Sequence, residues 1–226
     1  MITFLYKVLF LLLLCYTYIS FYYILKKNIY NTHTFFNEDL TKANITNEIA
    51  FKSPFTFKAP HLLDDYAYNK SLLLSEEKYY EQYLNEEVEL NDCLLPYTKS
   101  FVKRTIYKTK SSNKPINILY NESLRNYYVC KDGSFNTYLI HPKYRDNLKL
   151  WKADMIKCSS NKKIIDYIKS NSNIINVKMN QGDYLYVPNY WSLYIESTVS
   201  KNTCFEHIEI DTPLSKLCSI VMNYVK

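Results

Sequence analysis

Only two of the 226 residues are glycine, and each lies between two stretches with strand-like composition. Gly133 separates YYVC from NTYLI, and Gly182 separates INVKM from YLYV. Glycine adopts the positive φ of a tight turn without steric cost, so a chain this poor in glycine is expected to keep it where the backbone requires it. The flanking β-branched and aromatic residues predict strands. The second half of the chain is therefore predicted to form a sheet-rich barrel or jelly roll.

Helical patterns flank these strands, so the predicted class is mainly β with flanking helices. Ser75, followed by two glutamates, predicts the start of a helix with the sequence SEEKYYEQYLNEE. Ser160 and Asn161 likewise precede a predicted helix, KKIIDYIKS. Residues 100–110 alternate as in an exposed strand, and INVKM alternates strictly before the Gly182 turn.

The N-terminus contains 18 consecutive uncharged residues, 8–25, bracketed by Lys7 and by Lys26–Lys27. As a helix this run is about 27 Å long, close to the thickness of a bilayer's hydrocarbon core. Its tyrosines cluster in the second half, where an interfacial aromatic belt would lie. Cleavage as a signal peptide requires small residues before the cut, and Tyr18 and Ser20 form a poor site. The run is predicted to be a single membrane-spanning helix.

The chain is therefore divided into a membrane anchor at 1–27, a stalk at 28–60 and a folded domain at 61–226. The stalk is polar and contains Pro54 and Pro60. The expected location is a membrane, with a single pass. Because the positive charges on the two sides of the apolar run nearly balance, the positive-inside rule leaves the orientation open.

Three N-x-S/T sequons, at Asn44, Asn69 and Asn121, are candidate N-glycosylation sites. In a chain this rich in asparagine, sequons also arise by chance. They therefore do not decide which side of the membrane the domain faces.

The charge balance argues against nucleic-acid binding. Of the 28 basic residues, Lys7, Lys26 and Lys27 flank the apolar run, which leaves 25 basic against 22 acidic side chains in the rest of the chain. No basic stripe is present. Six cysteines are widely spaced without a C-x-x-C pair, so neither a zinc site nor a disulfide framework is indicated, and buried free thiols are expected. An oxidising compartment would allow one or two bridges.

Two segments of the second half resemble one family of oxygenases. They are YNESLRNYYVCKDGSFNTYLIHP at 120–142 and INVKMNQGDYLYVPNYWSLYI at 175–195. They are similar to the cupin-like, JmjC-type oxygenases, in the branch typified by the asparaginyl hydroxylase of hypoxia-inducible factor. The matching landmarks are Asn126, Gly133, Pro142, Gly182–Asp183, Pro188 and Trp191. The resemblance implies a double-stranded β-helix, the cupin jelly roll, preceded here by one transmembrane helix.

In that family two histidines and one carboxylate bind Fe(II) and leave positions for 2-oxoglutarate and O₂. The resemblance places these three ligands at Tyr120, Glu122 and Ser192, all pointing into the barrel. Tyrosine and serine are poor Fe(II) ligands because neither ionises readily at neutral pH. The lysine that would bind 2-oxoglutarate is replaced by Phe135, which cannot pair with an anion. No metal and no cofactor are expected.

The remaining histidines offer few ligand sets. His207, Glu209 and Asp211 are spaced by two and share one face of a predicted strand. Since no second histidine follows, this face is interpreted as a solvent-facing strand edge. His141, before Pro142, is expected to be structural.

The sequence thus predicts a membrane-anchored cupin-like domain that has lost its iron ligands and binds or scaffolds. Its ligand pocket would be lined by Tyr120, Glu122, Asn126 and Ser192. One alternative is an oxygenase with an altered metal shell that uses Glu122 with a histidine from elsewhere. Another is a structural membrane glycoprotein. The expected partners are the membrane and an unnamed protein, with no nucleic acid.

Overall fold

Strands β3 to β10 form two sheets in a computed structural model that describes residues 2–26, 33–35, 42–50, 53–58, 94–98, 100–109, 116–145, 162–197 and 203–217. The helices are α1 Ile2–Lys26, α2 Lys42–Ala50, α3 Pro142–Arg145 and α4 Lys162–Ser170. The strands are β1 His33–Phe35, β2 Phe55–Lys58, β3 Phe101–Thr109, β4 Ile116–Tyr120, β5 Arg125–Asp132, β6 Ser134–Ile140, β7 Ile175–Asn180, β8 Asp183–Pro188, β9 Ser192–Ser197 and β10 Thr203–Asp211. The strands predicted around both glycines, the strand at 100–110 and the helix KKIIDYIKS are confirmed.

The sheet topology is that of a jelly roll. One sheet has the strand order β1-β2-β8-β5-β10-β3, and the other has the order β4-β9-β6-β7. The short β1 pairs parallel with β2, and the other paired strands are antiparallel. Two packed antiparallel sheets with strands crossing between them are typical of jelly rolls, a group that includes the cupins. The predicted mainly β jelly roll is confirmed at this level.

Both glycines occupy the tight turns that the sequence predicted. Gly133 has φ 80° and Gly182 has φ 86°, a region that is costly for residues with a Cβ. The backbone N–H of Gly182 donates to the carbonyl of Cys130 over 2.9 Å, which joins the β7–β8 turn to β5. The two glycines therefore lie where only glycine is unstrained.

The space between the two sheets is filled by buried apolar side chains. On β7 the exposed and buried residues alternate, as expected for a strand with one face in a core. The interior core consists of Tyr128, Cys130, Phe135, Leu139, Ile175, Val177, Met179, Leu185, Val187, Trp191, Leu193, Ile195 and Phe205. Aromatic and branched side chains packed at this density leave little room between the sheets.

Two further cores cover the outer faces of the sheets. On the six-stranded sheet, Ile45 and Ile49 of α2 pack against aromatic residues of β2, β5 and β8. On the four-stranded sheet, Ile168 of α4 packs with Tyr138 and Tyr194. Both faces of each sheet are thus covered in part, which explains why strands such as β8 are buried along their whole length.

The predicted stalk at 28–60 needs correction, because residues 42–50 and 53–58 pack into the domain. Phe55 and Phe57 are buried in the outer core, and β2 forms an antiparallel pair with β8. Phe57 also stacks on Tyr184, with ring centroids 4.9 Å apart. These contacts bury large aromatic areas that a polar linker would leave in water.

The N-terminal run is helical, as predicted, over Ile2–Lys26. Its described side chains, 6–18, are mostly exposed and face all directions around the helix axis. Among the residues whose side chains are described, no helix is long and apolar enough to cross a membrane. The membrane span at 8–25 therefore stays a prediction.

Several predictions fall outside the described residues: the helix that begins at Ser75, the sequon at Asn69, and three of the cysteines. Of the described cysteines, Cys130 and Cys204 are buried free thiols, as the sequence predicted, and Cys15 is free and exposed. Burial, followed by the charge of Asp183, raises the pKa of Cys130 to about 12, so this thiol is protonated and unreactive at neutral pH.

Candidate functional site

The barrel has two ends with different chemistry. We call one the Trp191 end; there β4, β6, β8 and β10 finish and β3, β5, β7 and β9 begin. We call the other the glycine end, because it contains the Gly133 and Gly182 turns. Buried polar side chains gather inside the barrel at the Trp191 end, which makes it the candidate functional site.

His207 is at the centre of this polar cluster. It is 5% exposed, on the face of β10 that looks into the barrel. Its ring stacks on Tyr128, with centroids 4.3 Å apart and planes 7° from parallel. Its Nε2 lies 3.3 Å from Oδ1 of Asn126, and since an amide oxygen only accepts, Nε2 is the donor. The imidazole is thus held on one face by an aromatic ring and at one nitrogen by an amide.

The environment of His207 keeps its ring neutral. Burial lowers the pKa of His207 to about 4, the nearby Glu209 opposes this shift, and Lys103 adds to it. A neutral imidazole at pH 7 suits hydrogen bonding to Asn126. It is also the form that binds metals, so the neighbours of His207 decide whether it can act as a ligand.

Asn121 connects the two sheets at the same end. Its Nδ2 donates to the carbonyl of Trp191 over 3.2 Å, and its Oδ1 accepts from the hydroxyl of Tyr128 over 2.6 Å. Its backbone N–H also donates to the carbonyl of Trp191. A continuous chain of contacts therefore runs from Trp191 through Asn121 and Tyr128 to His207. Asn121 is fully buried, so the folded barrel withholds this sequon from glycosylation.

The two carboxylates that follow His207 on β10 each have partners of their own. Glu209 accepts from Ser123 Oγ over 3.3 Å and forms an ion pair with Lys103 at 3.1 Å. Asp211 accepts from the backbone N–H of Leu124 over 3.0 Å. These contacts satisfy both carboxylates at the rim of the Trp191 end.

The interpretation of His207, Glu209 and Asp211 as a solvent-facing edge is wrong. They share one face of β10, as the spacing of two predicted, but β10 lies between β3 and β5, and this face forms the barrel interior. His207 and Asp211 are buried, and Glu209 is half-buried. Within the described ranges, no three His, Cys, Asp or Glu side chains are grouped so that they could hold a metal ion.

The positions that the resemblance assigned to iron do not meet inside the barrel. Tyr120 and Ser192 are paired directly across β4 and β9. Tyr120, however, packs against the outer core of the four-stranded sheet, and Ser192 shares its face with Tyr194 of the same core. The residue of β9 that points inward is the next one, Leu193.

The predicted pocket of Tyr120, Glu122, Asn126 and Ser192 is therefore corrected. Asn126 lies inside the barrel, whereas Tyr120 and Ser192 lie on the outer face of the other sheet. Glu122 follows the end of β4 and is half-buried. The hydroxyl of Ser192 is buried without a hydrogen-bond partner. These four side chains do not line one cavity.

Phe135 lies in the interior core, 5.5 Å from the ring of Phe205. It is fully buried and apolar, so this position offers no charge to the carboxylate of 2-oxoglutarate. Together with Leu193 and the outward Tyr120 and Ser192, it means that the described residues do not fit Fe(II) with 2-oxoglutarate.

His141 is the second histidine at the Trp191 end. Its Nδ1 accepts from the backbone N–H of Lys143 over 3.1 Å. Its ring meets Trp191 edge to face, with centroids 4.8 Å apart. Both contacts support the structural role expected from the sequence.

Asn121 and Tyr128 were not predicted from the sequence as members of the polar cluster. Tyr128 could have been found from its spacing of two from Asn126, which places both on one face of β5. Asn121 lies after the last residue of β4, where strand alternation no longer predicts direction.

Strand order and sheet packing show that the described part of this chain is a jelly roll. No family model matches the sequence, and no curated protein matches it. Among solved structures it is similar to oxalate decarboxylase from Bacillus subtilis, both a point variant and a structure at pH 4.6, with 11% identity and a TM-score of 0.33. The match covers 49% of this chain and about a fifth of the decarboxylase, 22% and 21%. A likeness this weak carries no information about activity.

Proposed function

We propose that this chain is a single-pass membrane protein whose cupin-like barrel binds or scaffolds a partner and does not perform iron-dependent oxygenation. The main support is the direction of the side chains at the Trp191 end. Trp191 and Leu193 take the inward positions of the segment that would deliver a metal ligand, and Tyr120 and Ser192 point outward. An apolar interior at these positions cannot coordinate Fe(II).

The polar cluster supports the same proposal. His207 makes one hydrogen bond to Asn126 and stacks on Tyr128. Both the nitrogen and the oxygen of the Asn121 side-chain amide are hydrogen-bonded. Buried polar groups that satisfy one another stabilise a unique arrangement of the chain. We therefore assign the cluster to holding β4, β5, β9 and β10 together rather than to a substrate.

The anchor is proposed from α1. Its exposed residues include Leu9, Phe10, Leu11 and Leu12, which point in successive directions around the helix. A helix that is apolar all around requires an apolar environment, either a protein core or lipid. The flanking lysines at 7, 26 and 27 would lie at the two bilayer surfaces.

Metal and co-substrate chemistry is tested on the full chain in detergent. We expect no Co(II) absorption bands that depend on His207 or Glu122, and no succinate above a metal-free control when Fe(II), 2-oxoglutarate and O₂ are supplied. Bound Co(II) together with succinate formation, both lost in Glu122→Ala or His207→Ala, would establish the altered-shell oxygenase instead.

Membrane insertion is tested by alkaline extraction of expressed full-length protein. Wild type should stay in the membrane fraction, because lipid and not ionic contact holds α1. Leu11→Lys with Leu12→Lys places two charges in the middle of the run and should release the chain. Tyr167→Lys, at an exposed site on α4, is the matched control and should stay membrane-bound. Release of the wild type itself by alkali would refute the anchor.

A structural membrane glycoprotein is the second candidate, and one observation favours it. Asn44 is exposed on α2, whereas Asn121 is buried. If the barrel faces a glycosylating compartment, a glycosidase-sensitive mass shift should become smaller in Asn44→Gln and be unchanged in Asn121→Gln. A shift that depends on Asn121 would contradict the buried position of that side chain.

A further inference from the structure

Exposed apolar side chains outside α1 are concentrated at one place on the barrel. The described residues of this kind are Tyr97 (70% exposed), Phe101 (55%), Val102 (37%), Tyr167 (38%), Leu214 (49%) and Leu217 (54%). All except Tyr167 lie in the segment that enters β3 or in the helical turn that follows β10. We call these five residues the apolar rim.

The sheet register brings the two parts of the apolar rim together. Phe101, the first residue of β3, is paired with Asp211, the last residue of β10. Leu214 and Leu217 follow Asp211 in a helical turn and, being three apart, share one side of it. Tyr97 precedes Phe101 by four residues. The rim therefore surrounds the β3–β10 corner of the Trp191 end.

Lysines border this apolar surface. Lys42 places its ammonium 5.0 Å from the centre of the Tyr97 ring. Lys103 and Lys216 lie beside the rim with their side chains 41% and 62% exposed, near Glu209 and Asp211. Exposed tyrosine, phenylalanine and leucine bordered by lysine are typical of surfaces that rest at a lipid headgroup region.

The path of the chain leads from α1 to the same end of the barrel. α1 contacts α3, which directly follows β6 at the Trp191 end. Lys42, beside Tyr97, is only 15 residues beyond Lys27 in the sequence. A tether of this length keeps the barrel within about 50 Å of the end of α1, so a membrane that holds α1 is within reach of the rim.

We infer that the apolar rim rests on the surface of the membrane that α1 spans, so that the Trp191 end faces the lipid headgroups. This inference depends on the proposed membrane anchor. The occupant is a lipid surface, because exposed aromatic and aliphatic side chains with lysines among their neighbours suit the headgroup region of a bilayer, and the proposed anchor holds the chain at one. A protein covering the rim is the competing outcome, and the experiment separates the two.

The test uses the full chain in lipid nanodiscs of phosphatidylcholine, with and without phosphatidylserine. Tyr97→Trp introduces a fluorophore at the rim, and Tyr167→Trp introduces one at the exposed site on α4. The wild-type emission is subtracted. We expect the tryptophan at 97 to be quenched by bromine-labelled lipid in both lipid compositions. The tryptophan at 167 should be quenched by acrylamide from the water.

The outcomes distinguish this inference from the anchor proposal. If the chain does not enter the discs, the membrane anchor is wrong. If the chain enters but the tryptophan at 97 is quenched by acrylamide and not by lipid, the anchor stands and the inference is overturned. Protection of the tryptophan at 97 from both quenchers would indicate a protein on the rim and would also overturn it.

A second variant pair guards against an effect of the tryptophan itself. Leu214→Glu with Leu217→Glu replaces two exposed apolar side chains of the rim with carboxylates and should abolish the lipid quenching at position 97, since charged groups would have to enter the lipid interface in their place. Tyr167→Glu, the matched control, should leave the quenching unchanged. Equal loss in both variants would overturn the inference.

Discussion

The glycine end and the Trp191 end of the barrel both contain residues with positive φ, but these residues are stabilised in different ways. At the glycine end, Gly133 and Gly182 provide positive φ, and the Asn180 N–H donates to Asp183 over 2.8 Å to close the turn. At the Trp191 end, a tyrosine, Tyr190, adopts φ 69°. Its N–H donates to the carbonyl of Asn121. Here side-chain and tertiary contacts hold the backbone in a conformation that its own residue disfavours.

The glycine end is determined mainly by nearby residues in the sequence, whereas the Trp191 end is determined by tertiary contacts. The turns of the glycine end depend on the conformational freedom of glycine and on contacts between near neighbours in the sequence, such as that of Asn180 with Asp183. The Trp191 end requires Trp191, Asn121, Tyr128 and His207 to be present together, and each side chain is buried because the others are. An end that depends on mutual burial should lose more stability from a single truncation than one that depends on backbone geometry.

The largest expected effect is therefore at Trp191. Trp191→Ala should destabilise the protein by about 3–5 kcal/mol, because the ring is fully enclosed and its removal leaves a cavity beside His141 and Asn121. Near-UV circular dichroism during denaturant unfolding of the full chain in detergent measures it. Trp191→Phe, which keeps an aromatic ring, should lose less than half as much. A loss below about 1 kcal/mol for the alanine variant would mean that this end is not held by mutual burial.

The second effect depends on pH and belongs to His207. Its pKa is lowered from 6.5 to about 4 in the folded protein, so between these values the unfolded chain binds more protons. Stability should then fall as the pH falls from 6.5 towards 4, by at most about 3 kcal/mol from this group, and level off below. At neutral pH this contribution is fully present.

His207→Gln removes the titrating ring and should flatten this part of the curve. The quantity to compare is the difference between the wild-type and variant unfolding free energies from pH 7 to pH 4, because the carboxylates common to both cancel. A difference that does not change with pH would show that His207 is not buried in the neutral form.

The third effect tests the glycine end. Gly182→Val should cost about 2 kcal/mol, because a β-branched residue is strained at positive φ. Gly182→Asn should cost clearly less, since asparagine tolerates the left-handed region. Thermal unfolding of the two variants in parallel gives the comparison. Equal losses would point to close packing around the missing side chain and not to φ as the reason for glycine.

The smallest effect is at Tyr190 and has the opposite sign. Tyr190→Asn replaces a strained residue with one that tolerates φ 69° and should raise stability by up to about 1 kcal/mol. Differential scanning calorimetry resolves a shift of this size. A clear loss of stability would show that the tyrosine side chain contributes more than its backbone costs.

The sequence predicted most of the barrel but not the direction of its side chains. Strands on both sides of Gly133 and Gly182 follow from local alternation and turn chemistry, and they are confirmed. The predicted ligand positions were wrong because a shift of one residue along a strand turns a side chain to the other face of the sheet. Leu193 points inward and Ser192 outward, and nothing in YWSLYI distinguishes them before the sheets are packed.

Two other features could not be predicted, for a related reason. β1 and β2 are three and four residues long, too short for a periodic signal, and they are stabilised by pairing with one another and with β8. The burial of His207 depends on β10 lying between β3 and β5 in the sheet, which is a property of topology. The local sequence pattern predicts where strands form, whereas the packing of the sheets determines which face of a strand is buried.

The pairing of β1 has a mechanical consequence. β1 is the first strand after α1 in the chain and also the edge strand of its sheet, held on one side by three residue pairs with β2. A pull between an anchored α1 and the barrel therefore loads this short ladder before any other strand. If α1 is anchored as proposed, opening these three residue pairs would lengthen the tether before the pairing of β2 with β8 is broken. β1 would thus be the first strand to detach when the anchor and the barrel are pulled apart.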